Sequence, residues 1–405
     1  MRARTELRTL VCVLTVLLFP RPEVSADACE DALEADAAVF ASACTEAALR
    51  DPYRFAWLLL ARICDLEAAE PKACEWQGWA TFADTFPAAP IPDRSKPQWP
   101  GAGRKYPPLS VTDCTVGGEA RPRHYKSMDS DRPADPCEEI YDFRFNQEAF
   151  DYIVGKGLWY REGVASFWQE EEPVDFPESA VALQAGWKRI DESQKKDYHW
   201  VVSRDDEGEP LLCGLTGLDV KSKILPRWIW IALEHVDNPG RCDVIGCRDD
   251  FGQSPRFTPP HRRLGATYAP EAPTEDLVRL LPSSQNGPWK NYRLKGVLAD
   301  FVESDGRPTV LANSVRQIEG DFFPAAPSCI TCHSRARFGD HGKADLDWSG
   351  GVATAFPVVR GAPDPSWIYS TNAGSDLPWQ QQYKQSNFIW SIPLYACPKL
   401  PSPGE

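Results

Sequence analysis

Methionine is almost missing from this sequence: 405 residues hold two, Met1 and Met128. Histidine is scarce as well, at six residues. Long apolar runs are absent beyond Leu10 to Phe19. No other stretch approaches the roughly 20 residues that a transmembrane helix needs, which excludes a helical membrane protein. Positive charge is in deficit, with 44 Lys and Arg against 58 Asp and Glu, for a net charge of −14. Nucleic acid and anionic lipid are therefore poor partners for this surface. The chain also lacks internal repeats and low-complexity tracts.

What is present begins with an export signal. Arg2, Arg4 and Arg8 precede the Leu10–Phe19 run, and Val24-Ser25-Ala26 then supplies small residues for cleavage, so residues 1–26 read as a signal peptide. Ten helical residues span about 15 Å, half a bilayer, which makes the run too short for an anchor. Removing its four Arg and two Glu takes the net charge from −14 to −16. Of 13 Cys, Cys12 leaves with the leader. Ten others are Cys29, Cys44, Cys64, Cys74, Cys114, Cys137, Cys213, Cys242, Cys247 and Cys397. An even set in an exported chain predicts up to five disulfides and a periplasmic or secreted location.

Residues 27–86 read as a Cys-rich helical hairpin. Cys29, Leu33, Ala37, Phe40 and Cys44 lie on one helical stripe, and Asp51-Pro52 restarts the chain as N-cap and first helical residue. On one continuous helix Cys29 and Cys44 would stand about 22 Å apart. The hairpin therefore predicts Cys29–Cys74 and Cys44–Cys64 bridges. Residues 87–138 form a Pro-rich connector pinned by Cys114 and Cys137. Residues 139–300 read as β-rich: a short helix near 146–154, then strands over 180–187, 198–203, 211–220 and 228–235 in an antiparallel sheet. Trp168, Trp187, Trp200, Trp228 and Trp230 are assigned to its core. Residues 301–405 carry the motif below and a C-terminal tail. The fold class is α+β.

The motif is Cys329-Ile330-Thr331-Cys332-His333. Two thiols three positions apart on a helical turn reach the two vinyl groups of a porphyrin as thioethers, and the adjacent imidazole supplies the iron's proximal ligand. This predicts one covalently bound haem c, held by Cys329, Cys332 and His333. A thioredoxin-like dithiol would need a βαβ context, and a zinc site a second Cys/His pair; neither is seen. Arg335 and Arg337 are placed to meet haem propionates, or to be solvated surface residues.

The segment resembles c-type cytochromes. Phe176-Pro177 through Trp187, the Trp228–Asn238 run, Asn286 through Leu294 and Ser328 with the motif resemble large bacterial mono-haem "cytochrome c family" proteins, over roughly residues 140–340. The resemblance implies haem binding and export and assigns no reaction. Its members tend to carry His where this chain has Asp219. A sheet first and the haem motif last also resembles, in layout alone, the β-type mono-haem family of hydroxylamine-oxidising enzymes and cytochrome c′-β.

The sixth iron ligand separates the functional readings. Met128 would give a high-potential electron carrier, and His235 a second imidazole and a lower potential. His341 lies eight residues past His333. An open position would permit small-molecule chemistry. His124, His199 and His261 are assigned to surface or core. The expectation is an exported mono-haem electron-transfer protein with a redox partner protein. The alternative is a haem enzyme or gas-binding protein, oxidase- or peroxidase-like, with an open distal site.

Overall fold

The computed structural model describes residues 27–64, 74–87, 96–101, 135, 137, 142–204, 208–261, 265–282, 287–314, 328–344, 360–365, 369–370 and 380–398. The expected signal peptide, most of the Pro-rich connector with Cys114, His124 and Met128, and the last residues of the tail lie outside these.

The N-terminal helix does not run unbroken. Helix α1 (Asp27–Asp31) ends early, and the Asp36 carboxylate accepts from Val39 N–H at 2.9 Å, capping a new start for α2 (Ala37–Arg50). The break folds Cys29 back over α2, where it bridges Cys44 across a Cα–Cα distance of 4.7 Å. Cys64 bridges Cys74. The expected Cys29–Cys74 and Cys44–Cys64 pairs are thereby corrected: the 22 Å separation assumed one helix, and there are two. Asp51 closes α2 and caps α3 (Pro52–Ile63) as expected, accepting from Arg54 N–H. The two helices still form a hairpin, with Phe40 and Phe55 rings 6.3 Å apart. Helix α3 is apolar nearly all round because it lies between α2 and the sheet, burying Phe55, Trp57, Leu58, Leu59, Leu60 and Ile63.

In chain order there follow β1 (Ala80–Thr81), the one-turn helix α4 (Phe82–Thr85), β2 (Asp142–Phe145), α5 (Gln147–Gly155), α6 (Arg161–Trp168), β3 (Val181–Arg189), β4 (Trp200–Arg204), β5 (Pro210–Ser222) and β6 (Ile229–His235). The two-residue strands β7 (Cys247–Arg248), β8 (Gln253–Ser254), β9 (Phe257–Thr258) and β10 (Ala272–Pro273) precede α7 (Glu275–Leu280) and β11 (Tyr292–Leu298). The main sheet runs β1-β2-β3-β5-β6-β11, all antiparallel, with β4 alongside the first part of β5. The four strands expected from alternation are β3 to β6. Cys137–Cys213 and Cys242–Cys247 are bridged, and Cys397 is disulfide-bonded.

The sheet is buried on both faces, and the period of two sorts its residues. Leu183, Leu218, Val220, Ile229, Ile231 and Leu233 face the hairpin in one core. Ala182, Trp228, Trp230 and Ala232 face the other, with α5, α6, Ile330, Ile389 and Ile392. Of the tryptophans assigned to the core, Trp187, Trp228 and Trp230 are buried, whereas Trp168 and Trp200 are half-buried. No helix among the described residues is long and apolar enough to cross a membrane.

Candidate functional site

Helix α8 is the single turn Cys329–His333. Its position is fixed at both ends. Cys329 N–H donates to Leu311 O at 3.1 Å, and Cys332 N–H to Ser328 O at 3.0 Å. Ile330 is fully buried in the core on this side of the sheet, and Thr331 Oγ1 donates to Gly361 O at 2.7 Å. Trp390 Nε1–H reaches Cys332 O at 3.3 Å. Ile330 and Thr331 therefore turn inward, while Cys329, Cys332 and His333 stay partly exposed, with the Cys329 thiol donating to Leu311 O at 2.9 Å.

The imidazole of His333 has a defined tautomer. Nδ1 lies 2.8 Å from Phe388 O, and a carbonyl only accepts, so Nδ1 carries the hydrogen. Nε2 is left with its lone pair, and no hydrogen bond occupies it among the described residues. The ring packs on Trp230, centroids 4.6 Å apart. Burial, and then the Lys221 charge, hold the imidazole well below its ordinary pKa, so it is neutral at physiological pH. A neutral imidazole with one nitrogen anchored and the other free is the form that ligates a metal.

The two cysteines differ from the rest of the set. Nine other described cysteines are disulfide-bonded, and among the described residues only Cys329 and Cys332 stand outside a disulfide. Burial raises both thiols above their ordinary pKa, with Asp219 adding to the effect at Cys329. A dithiol redox centre works through a lowered thiol pKa, and the shift at this pair runs the other way. Thioether formation, in contrast, leaves no thiol to titrate.

Backbone strain also collects here. Among the described residues three non-glycines have left-handed φ: Trp228 at 60°, Asn387 at 50° and Phe388 at 67°. Each such residue costs about 1–3 kcal/mol and persists where the surroundings hold it. Trp228 Nε1–H donates to Asn387 Oδ1 at 2.8 Å, which ties the start of β6 to the 387–388 turn. That turn aims the Phe388 carbonyl at His333.

The other sequence-predicted residues are not brought to this turn. His235 lies at the far end of β6 and, five residues from Trp230, points to the opposite face of the sheet. Its Nδ1 accepts from Asp237 N–H at 3.2 Å, so Nε2–H donates to Asp197 O at 3.0 Å. Both nitrogens are committed, and the ring stacks on Tyr198 at 3.8 Å. His235 is a structural residue in this fold. His341 is exposed beside Asp340. Met128 lies outside the described residues. Arg335 is buried close to the turn, and Arg337 places its guanidinium over the Tyr383 ring.

Sequence reasoning missed Trp230, Phe388 and Lys221. Trp230 was filed as core, yet strand parity separates it from His235. Lys221 carried a readable signal, a cation inside the apolar strand β5. Phe388 acts through its carbonyl, which no side-chain pattern reports. A second cluster, Cys242, Cys247 and Glu271, offers no ligand set: its sulfurs are bridged, and Arg241 and Thr258 engage the carboxylate. No protein-family model matches the chain, and neither the curated proteins nor the solved structures give a match.

Proposed function

We propose that the chain is an exported mono-haem c-type cytochrome, with haem c linked through Cys329 and Cys332, ligated by His333, and used for electron transfer with a partner protein. The observation that carries the reading is the combination at one helical turn of two unbridged thiols and an anchored, neutral imidazole with Nε2 free. The residues fit the group: neither thiol is in a disulfide, Cys329, Cys332 and His333 are all partly exposed, and the disulfides agree with export. When bound, the haem would supply a one-electron Fe(III)/Fe(II) couple.

The chain's own residues then set the conditions. Phe388 O fixes the imidazole and raises its donor strength through the Nδ1 hydrogen bond. Trp230 excludes water from one face of the ring. A second reading, a haem enzyme or gas-binding protein with an open distal site, is favoured by the placement of His235, whose nitrogens are spent elsewhere. Met128 remains the thioether candidate for the sixth position.

The test is production alongside a cytochrome maturation system, with Cys329→Ala and Cys332→Ala as controls. A red protein whose colour survives denaturing electrophoresis, weakened in each single variant and lost in the double, supports the proposal. A colourless wild type refutes it. In the red protein, a reduced spectrum untouched by carbon monoxide supports the carrier, and one that shifts supports the open site.

A further inference from the structure

The segment after Tyr383 folds back over the Cys329–His333 turn and is fastened to the same stretch of chain at several points. Lys384–Gln385 pairs antiparallel with Arg337–Phe338, and Ser386 N–H donates to Ala336 O at 2.8 Å. Trp390 Nε1–H donates to Cys332 O at 3.3 Å. These ties join two parts of one C-terminal unit, and none of them reaches the sheet. The tip of the segment is tied to the sheet by a different bond. Trp228, one residue before β6, donates its Nε1–H to Asn387 Oδ1 at 2.8 Å. Among the described residues no other hydrogen bond joins the sheet to Asn387 or Phe388.

Both ends of this bond are placed to keep it. Trp228 is fully buried, with its ring edge-on to Phe176 at 5.6 Å, and a buried indole N–H without an acceptor is costly. Asn387 and Phe388 hold left-handed φ of 50° and 67°, a conformation that residues other than glycine leave when nothing holds them. Phe388 O in turn accepts from His333 Nδ1–H at 2.8 Å. Indole, carboxamide, carbonyl and imidazole thus follow one another from the sheet to the ligand nitrogen.

We propose that Trp228 is a positioning residue for the iron: through Asn387 it holds the Phe388 carbonyl on His333 Nδ1–H and so lowers the reduction potential of the bound haem. The proposal rests on the haem reading above and adds a control on its potential. A strong hydrogen bond at Nδ1 pushes electron density towards Nε2. A richer donor stabilises ferric over ferrous iron, which lowers the potential, and hydrogen bonding around the ligand is a lever that the protein has on it. Without the Trp228 donor the left-handed turn relaxes, the carbonyl moves off Nδ1, and the potential rises.

The experiment is a potentiometric titration of the haem-loaded protein, followed by absorbance, in wild type, Trp228→Phe, Asn387→Gly and the double variant. Phenylalanine keeps an aromatic ring against Phe176 and removes the donor. Glycine accepts the left-handed φ at 387 and removes the acceptor, so it carries the test if the tryptophan variant does not fold. Each single variant should raise the ratio of ferrous to ferric protein at a fixed potential about tenfold, the loss of one hydrogen bond, which is about 59 mV for a one-electron couple. The double variant should shift no further than the larger single one, because both changes remove the same bond. Phe176→Leu disturbs the packing of Trp228 and spares the bond, so it should leave the potential at the wild-type value. A red protein whose potential stays unchanged in both single variants overturns the proposal, as do shifts that add in the double variant. A lowered potential also overturns it, because mere loosening that admits water favours the ferric charge. A colourless wild type fails the haem reading itself, and this proposal with it.

Discussion

Acidification should weaken the sheet through His199, a residue on the hairpin face. It is 1% exposed and stacked on Trp289 at 5.0 Å, and burial pushes its pKa down from 6.5 to about 4. The unfolded chain binds the proton at 6.5, so His199 contributes fully above that pH, and its contribution is lost as pH falls towards 4. At 1.36 kcal/mol per pH unit the loss is about 3 kcal/mol. His235 is also held low and adds a loss of the same sign. Asp249 opposes them: burial raises its carboxyl to about 6, so its protonation stabilises the fold below that value. His199→Phe isolates one term. Phenylalanine can keep the stack on Trp289, at a repacking cost of about 1 kcal/mol at pH 7. Urea unfolding of both proteins between pH 7.5 and 4.5, with disulfides intact, should show the stability gap moving by most of that 3 kcal/mol in favour of the variant. Parallel pH curves would refute the assignment of a buried neutral imidazole.

Three further outcomes follow from the fold and site. Arg144 and Asp142, both with fully buried side chains, are paired at 2.5 Å, and Arg144→Met should cost about 3–5 kcal/mol in denaturant unfolding by stranding the carboxylate; a loss under 1 kcal/mol contradicts the pairing. His235→Gln keeps one donor and one acceptor, so it should leave any haem absorption spectrum unchanged, and an altered spectrum would make His235 an iron ligand after all. Peptide mapping without reduction should recover Cys29–Cys44 and Cys64–Cys74, and recovery of Cys29–Cys74 would restore the unbroken first helix.

The strands of the sheet core were legible because Trp, Ile, Val and Leu alternate there, and β3 to β6 all fall within two residues of their expected bounds. Helix α3 was legible from Asp51-Pro52. The disulfide pairing was not, because it turned on the Asp36 cap, where one local hydrogen bond outweighs an unbroken apolar stripe. Within the site, the Cys and His spacing was readable, and so was the separation of His235 from the face of β6 that carries Trp230. Residues 230 and 235 differ by an odd number, which settles that from the strand alone. The Phe388 carbonyl and the left-handed backbone at Trp228, Asn387 and Phe388 depend on tertiary packing, and no local pattern announces them.

The measurement closest to the central claim is the mass of the proteolytic peptide that spans Ser328 to Ser334, from protein matured in an oxidising compartment. The account predicts that this peptide carries one haem through two thioether links and resists both reduction and thiol alkylation. Two alkylatable thiols on an unmodified peptide would contradict it.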